Sequence, residues 1–182
     1  MAAEIIGGKN FEFPSDTLIQ NAIKSRIMIG IGNYLMDNKC GYIFRTTFVR
    51  FSDENIFIPD LSVVLKENEK ILSQGDMIRG APDMVVEVLS YSTRKRDLTI
   101  KKDVYEAQGV REYWIVDPRA KSVTVYLLQD GKYFLDEVYT LMSEDDLKLL
   151  DEDELADVKY EVPVSILDGL NVPLEFIFSW GY

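Results

Sequence analysis

Two acidic residues interrupt stretches that are otherwise apolar, and these are the residues whose type and setting point most directly to chemistry. Glu87 lies inside Met84-Val85-Val86-Glu87-Val88-Leu89, and Asp60 lies inside Ile58-Pro59-Asp60-Leu61-Ser62-Val63-Val64. A carboxylate in an apolar run is costly to bury unless a cation, a metal ion or strong donors meet its charge. If the two runs are neighbouring strands, the carboxylates converge, and two hard oxygen donors with open coordination positions suit Mg²⁺ or Mn²⁺. The competing reading is local: each acid sits at a strand end, solvated or paired with an arginine. Asp83 is a second candidate near Glu87. Four strand residues separate the two by about 13 Å, too far to share one ion, so Asp60 is preferred.

Two lysines compete for a third role in a helix expected over residues 93–108. At about 100° per residue, Ile100, Val104 and Ala107 define its apolar stripe. Lys101 then falls at the stripe's edge, with Asp97 and Gln108 between it and the centre, while Lys102 points to solvent. A lysine on that edge can bury its stem and extend its ammonium into a cleft. The alternative is an ordinary i,i+4 surface pair between Asp97 and Lys101. Just upstream, Arg94, Lys95 and Arg96 form a basic cluster that could contact phosphates without reading sequence, or could simply be a solvated face.

Composition narrows the chemistry. The 182 residues include no histidine. That excludes triads built on imidazole, His-ligated zinc and a histidine general base. A single cysteine, Cys40, excludes an internal disulfide framework and a Cys-rich zinc site. The formal net charge is −11, which opposes nucleic acid at long range. Much of it is concentrated: residues 144–158 carry eight acids and one base, Lys148. This segment reads as an exposed loop or as an intramolecular mimic of DNA charge covering a basic face. No apolar run reaches the roughly 18 residues of a membrane span. The opening residues lack a basic start followed by an apolar stretch. Together these features predict a cytoplasmic protein.

The elements that must position the acids follow from periodicity. Residues 16–37 read as an amphipathic helix, with Leu18, Ile19, Ala22, Ile23, Ile27, Ile31, Tyr34 and Leu35 on its apolar face and Ser15 or Asp16 as cap after Pro14. Tyr42–Phe51 reads as a strand, followed by a short one at Asp60–Leu65 and a polar loop over Lys66–Gly80. Met84–Leu89 has the pattern of a central strand buried on both faces. The 93–108 helix should stop at Gly109, and Glu112–Val116 is the next strand. Asp130-Gly131 marks a hairpin between Ser122–Leu128 and Lys132–Tyr139. Val162–Phe178 is apolar and should dock as a strand or short helix. With no repeat and no linker, the plan is one mixed α/β domain spanning residues 1–182.

The same residues carry a resemblance. Pro59-Asp60, the run Gly80-Ala81-Pro82-Asp83-Met84-Val85-Val86-Glu87-Val88-Leu89-Ser90, then Asp97, Lys101, Tyr105, Gly109-Val110 and Glu112-Tyr113-Trp114-Ile115-Val116-Asp117-Pro118 resemble the Uma2 family of the PD-(D/E)XK nuclease superfamily. The likeness spans about residues 4–178. It includes the opening Glu4-Ile5-Ile6-Gly7-Gly8-Lys9 and the close from Pro163 to Phe178. It implies a restriction-endonuclease-like core: a central mixed sheet flanked by helices, here with an added C-terminal β-hairpin. Asp60 and Glu87 match the motif acids, and Glu4 matches a further, weaker ligand. Leu89 stands where the superfamily often has its lysine, and Lys101 on the next helix matches the displaced one. The family's histidine near its first helix has no counterpart here.

The expected activity is metal-dependent hydrolysis of phosphodiester bonds in DNA. Asp60, Glu87 and the Val88 carbonyl would hold Mg²⁺ or Mn²⁺, and Lys101 would orient or help deprotonate the attacking water. A homodimer would supply the two sites that double-strand cutting needs. Two rival readings are a weakly active or inactive module that keeps the fold and binds DNA or a protein partner, and a hydrolase of smaller phosphoesters.

Overall fold

A computed structural model describes residues 3–12, 15–72 and 75–179. Pro14, and Ser73 and Gln74 of the expected polar loop, lie outside the described residues. The chain opens with a hairpin of β1 (Ala3–Ile6) and β2 (Lys9–Glu12), turning on Gly7 and Gly8. Both glycines have positive φ, as such a tight turn demands. Helix α1 follows over Leu18–Asn38. Its cap is Thr17 rather than Ser15 or Asp16, because Thr17 and Gln20 form a reciprocal capping box.

The expected strand Tyr42–Phe51 divides into β3 (Gly41–Arg45) and β4 (Val49–Arg50). Thr46 between them takes a left-handed φ of 52°, and the chain passes from one sheet to another. Next come β5 (Ile56–Phe57) and β6 (Leu61–Leu65). The expected polar loop contains a 3₁₀ segment, Lys66–Leu72, and β7 (Ile78–Arg79). Then β8 (Met84–Val88) leads into a helix built of three pieces: α2 (Arg94–Arg96), a π-helical turn (Asp97–Lys101) and α3 (Lys102–Gln108). Gly109 ends it with φ 86°.

Strand β9 (Glu112–Asp117) and the predicted hairpin of β10 (Ser122–Gln129) and β11 (Lys132–Thr140) follow. The acidic segment is exposed, as expected, but it is not a loop. It forms α4 (Glu144–Leu147) and α5 (Glu152–Asp157), each with a capping box and acids in its first turn, where the helix dipole favours them. The tail pairs β12 (Glu161–Pro163) with β13 (Asn171–Pro173) and ends in α6 (Leu174–Phe178).

The main sheet has six strands in the order β11-β10-β9-β8-β6-β3. The β8–β9 pair is parallel and its other pairs are antiparallel, so it is mixed. Strand β8 is covered on both sides. Met84, Val86 and Val88 face α1 through Ile23, Ile27, Ile31 and Leu35, whereas Val85 and Leu89 face Tyr105, Val110 and Tyr113 on the side of the 94–108 helix. Glu87 shares that second face by strand alternation. A smaller sheet, β2-β1-β5-β4-β7, brings the N-terminal hairpin alongside.

Candidate active site

The pairing of β6 with β8 puts Leu61 opposite Val86, and one step further along this antiparallel register sets Asp60 opposite Glu87. The two sequence-selected acids therefore come from the residue just before β6 and from the adjacent strand β8. Asp60 is aimed by β8 itself, whose Val88 N–H donates to its Oδ2 at 2.6 Å. Glu87 accepts a hydrogen bond from the Tyr105 hydroxyl at 2.7 Å on Oε1.

Lys101 joins them. Its Nζ lies 2.7 Å from Glu87 Oε1, 2.8 Å from Glu4 Oε1 and 3.5 Å from Asp97 Oδ1. Glu4 reaches the pocket from β1 and is held there by the Ile58 N–H, at 2.9 Å. Lys101 is 2 % exposed, so its pairing with Asp97 belongs to the interior and not to the surface. The expected apolar stripe of this helix is overturned: Ile100 is 47 % exposed and Ala107 is exposed. The buried face is Asp97, Lys101 and Tyr105. Four residues of α-helix overshoot a full turn by about 40°. The wider π turn underwinds between Asp97 and Lys101 and keeps the three side chains on one face. The Tyr113 hydroxyl donates to the Asp97 carbonyl at 3.0 Å and ties this turn to β9.

Two residues of the pocket, Lys24 and Gln20, were not singled out from sequence. Lys24 of α1 is 1 % exposed, and its Nζ lies 2.6 Å from Asp60 Oδ1 while also pairing with Asp16. Gln20 donates from Nε2 to the Leu89 carbonyl at 3.1 Å. A signal for them exists. Gln20, Lys24, Ile27, Ile31 and Leu35 follow three- and four-residue spacing, so the polar pair continues the buried stripe of α1. Leu18 and Ile19, expected on that face, are exposed.

Five carboxyl groups (Glu4, Asp16, Asp60, Glu87 and Asp97) and two ammonium groups (Lys24 and Lys101) line one pocket together with Val88, Ser90 and Thr93. Its volume is about 20 Å³, room for a single ion or water. Burial raises the pKa of Glu87 well above the ordinary carboxylate range. Lys101 partly offsets this, and Asp97, Asp60 and Glu4 add to it. Burial also raises Asp60 against the pull of Lys24, and Asp97 against that of Lys101. For Lys101 burial opposes the charge, but Glu87, Glu4 and Asp97 together outweigh it and raise its pKa. Lys101 is therefore an ammonium at neutral pH, which suits it to orient and to balance charge but not to take a proton.

A hard divalent cation fits this donor set. Carboxyls outnumber ammoniums, and Asp97 Oδ1 is buried without a hydrogen-bond partner. Among the described residues no three acids are grouped so as to hold a metal ion by themselves, so carbonyl or water oxygens would have to complete the shell.

Other sequence candidates lie elsewhere. Asp83 is buried with a structural role: its Oδ2 accepts from the Leu65 N–H at 2.8 Å and from Asn68 at 3.2 Å. Gln108 is exposed in the last turn of α3, outside the pocket lining. The basic cluster splits. Arg94 pairs with Asp117, Lys95 is exposed, and the Arg96 guanidinium lies 4.9 Å over the Phe11 ring. Beside the carboxylate pocket, sharing Gln20 and Ser90 with it, runs an open groove of about 360 Å³ that includes Tyr91, Arg94 and Arg119.

A mixed sheet that sets Asp60 against Glu87 on adjacent strands, with a lysine supplied by the following helix, is a restriction-endonuclease-like arrangement. The chain belongs to the Uma2 family, whose model, described as "Putative restriction endonuclease", matches residues 1–162. Among solved structures it is similar to a "putative nuclease belonging to DUF820" from Anabaena variabilis ATCC 29413. The TM-score is 0.75 and the identity 23%, over 98% of this chain and 90% of that one. At that identity the likeness concerns the fold. No match was found among curated proteins. No helix among the described residues is long and apolar enough to cross a membrane.

Proposed function

We propose that this chain is a metal-dependent endonuclease that hydrolyses phosphodiester bonds in DNA. The observation that carries the reading is the meeting of Glu87, Glu4 and the Lys101 ammonium within 2.8 Å, across the strand pair from Asp60. Asp60, Glu87 and the Val88 carbonyl would hold Mg²⁺ or Mn²⁺, with Glu4 as a weaker further donor. When bound, such an ion lowers the pKa of a coordinated water and offsets charge on the phosphoryl group in flight.

The remaining work falls to the protein. The Val88 N–H and Lys24 fix the orientation of Asp60, and Tyr105 fixes that of Glu87. Lys101, kept protonated by its acidic neighbours, would orient the attacking water and stabilise negative charge as the water oxygen bonds to phosphorus, its proton passes to solvent and the bond to the leaving ester oxygen breaks. The groove beside the pocket offers Arg94 and Arg119 to flanking phosphates, with Lys95 on the adjoining surface. Cutting both strands would call for two such sites, as a homodimer provides.

The test is a supercoiled plasmid incubated with Mg²⁺ or Mn²⁺. Nicking or linearisation by the wild type, abolished in Glu87→Ala with folding intact, is the expected result. Cutting retained in Glu87→Ala would overturn the site. A second reading draws on the net charge of −11 and on Arg94 being engaged by Asp117. It is a non-cleaving module of the same fold that binds DNA or a protein partner. Salt-sensitive DNA binding without cutting would favour it.

A further inference from the structure

Lys24 is the buried cation that the hydrolysis scheme uses only to orient Asp60. It projects from the second turn of α1, in a buried stripe that runs Gln20, Lys24, Ile27, Ile31 and Leu35. Its ammonium bridges Asp16 and Asp60, lying 2.6 Å from Asp60 Oδ1. The other Asp60 oxygen is taken by the Val88 N–H. On the outer side, Arg45 approaches Asp16 Oδ2 at 3.9 Å. Lysine and a divalent ion compete for the same ground here, because each needs the inward-facing oxygens of Asp16 and Asp60.

We infer that Lys24 stands permanently in the place of a second divalent ion and limits this pocket to one, a deduction that rests on the metal-binding reading above. Charge supports the count. With every carboxyl ionised, five negative and two positive groups leave an excess of three negative charges. One divalent ion reduces that to one. A second would reverse the sign of a pocket only about 20 Å³ in volume. Without the Lys24 ammonium the excess is four, which two divalent ions balance, and Asp16 and Asp60 become a carboxylate pair free to ligate. Paired ions in hydrolytic sites sit roughly 3.5–4 Å apart and share a bridging acid. Asp60, between Asp16 on one side and Glu87 on the other, is placed to be that bridge once the lysine is gone.

The experiment counts Mn²⁺ bound per chain, by calorimetric titration and by electron paramagnetic resonance, in the wild type and in Lys24→Met. Methionine keeps the length and apolar stem of lysine and removes the charge. One ion in the wild type and two in Lys24→Met, the two giving an exchange-coupled signal, is the expected result. Two ions in the wild type would overturn the inference, and that count stands even if Lys24→Met fails to fold. One ion in a folded Lys24→Met would overturn it as well. No ion in the wild type and one in the variant would also overturn it, since Lys24 would then exclude metal altogether. No ion in either protein would instead overturn the metal-binding reading on which it rests.

Discussion

Glu87 and Glu112 are buried glutamates on neighbouring parallel strands, and their surroundings could hardly differ more. Glu87 lies beside an ammonium and three further carboxyls. Glu112 is 0 % exposed and is met mainly by neutral donors: Trp114 Nε1 at 2.7 Å and the Ile166 N–H at 2.9 Å. The register β8–β9 pairs Met84 with Glu112 and Glu87 with Ile115, so the two acids sit at opposite ends of the same strand pair. One end is built around charge. The other uses a carboxylate as a clasp, tying the C-terminal segment near Ile166 to β9. A buried acid therefore does not by itself mark a reactive site. The charge and spare oxygens of its partners do.

The contrast is most sharply broken by exchanging each acid for its amide. Glu87→Gln is expected to lower Mg²⁺-dependent plasmid cleavage by about 10³-fold or more, roughly 4 kcal/mol of transition-state stabilisation. Glu112→Gln should stay within about threefold of wild type, because Glu112 lies at the other end of the strand pair, outside the lining of the acidic pocket. Equal losses in both variants would erase the distinction.

Lys101→Met should come next in size. It leaves Glu87, Glu4 and Asp97 buried without their shared cation, at a cost of about 3–5 kcal/mol in urea unfolding without divalent ions. Added Mg²⁺ is expected to recover part of that loss.

The Glu112 clasp has a pH signature. Burial, only partly offset by its hydrogen bonds, pushes its carboxyl up to about 7. A group whose pKa is raised in the fold favours the fold while protonated. Its contribution is thus complete below its unfolded value and lost as pH rises towards 7. Glu112→Gln should flatten the fall in stability between about pH 4.5 and 7, by up to about 3 kcal/mol. The raised pKa values of Asp60, Glu87 and Asp97 tilt stability the same way. Mg²⁺ should suppress their share and leave that of Glu112, a separation measurable by thermal unfolding across pH with and without the ion.

The smallest effect is expected for Tyr105→Phe. Loss of its hydrogen bond to Glu87 should cost about 1 kcal/mol and a modest fraction of activity. A loss comparable to that of Glu87→Gln would instead place the tyrosine hydroxyl at the reacting atoms.

Much of the pocket was legible in the sequence because a charge inside an apolar strand is conspicuous. Glu87 and Asp60 announce themselves that way, but that their runs lie side by side was only a condition in the sequence, which the pairing of β6 with β8 meets. The same signal also marks Glu112, in Glu112-Tyr113-Trp114-Ile115-Val116. Its different role comes from the C-terminal chain at Ile166, 54 residues away, which periodicity does not reach. Lys101 was legible, but its stripe was not. Apolar side chains at 100 and 107 suggested one face, and the π turn selected another, where polar groups satisfy one another. Lys24 and Gln20 were hidden for the opposite reason: polar residues near a helix start are usually solvated, and only the strand acids beneath them make their burial favourable. The split of Tyr42–Phe51 rests on one residue, Thr46, adopting a left-handed conformation that β-branched side chains rarely take.

The extra residue wound into the turn Asp97–Lys101 makes the pocket sensitive to length as well as to identity. Removing one exposed position there, such as Thr99, would let the backbone relax to ordinary α winding. Three α residues turn about 300° where the π turn from Asp97 to Lys101 turns about 330°, so everything upstream would shift by only about 30° about the axis. Asp97 would keep its side of the helix and Arg94 its reach towards Asp117. A residue added to the flanking α turns would instead swing the basic rim by about 100° away from the acidic centre, without altering any residue that touches Glu87.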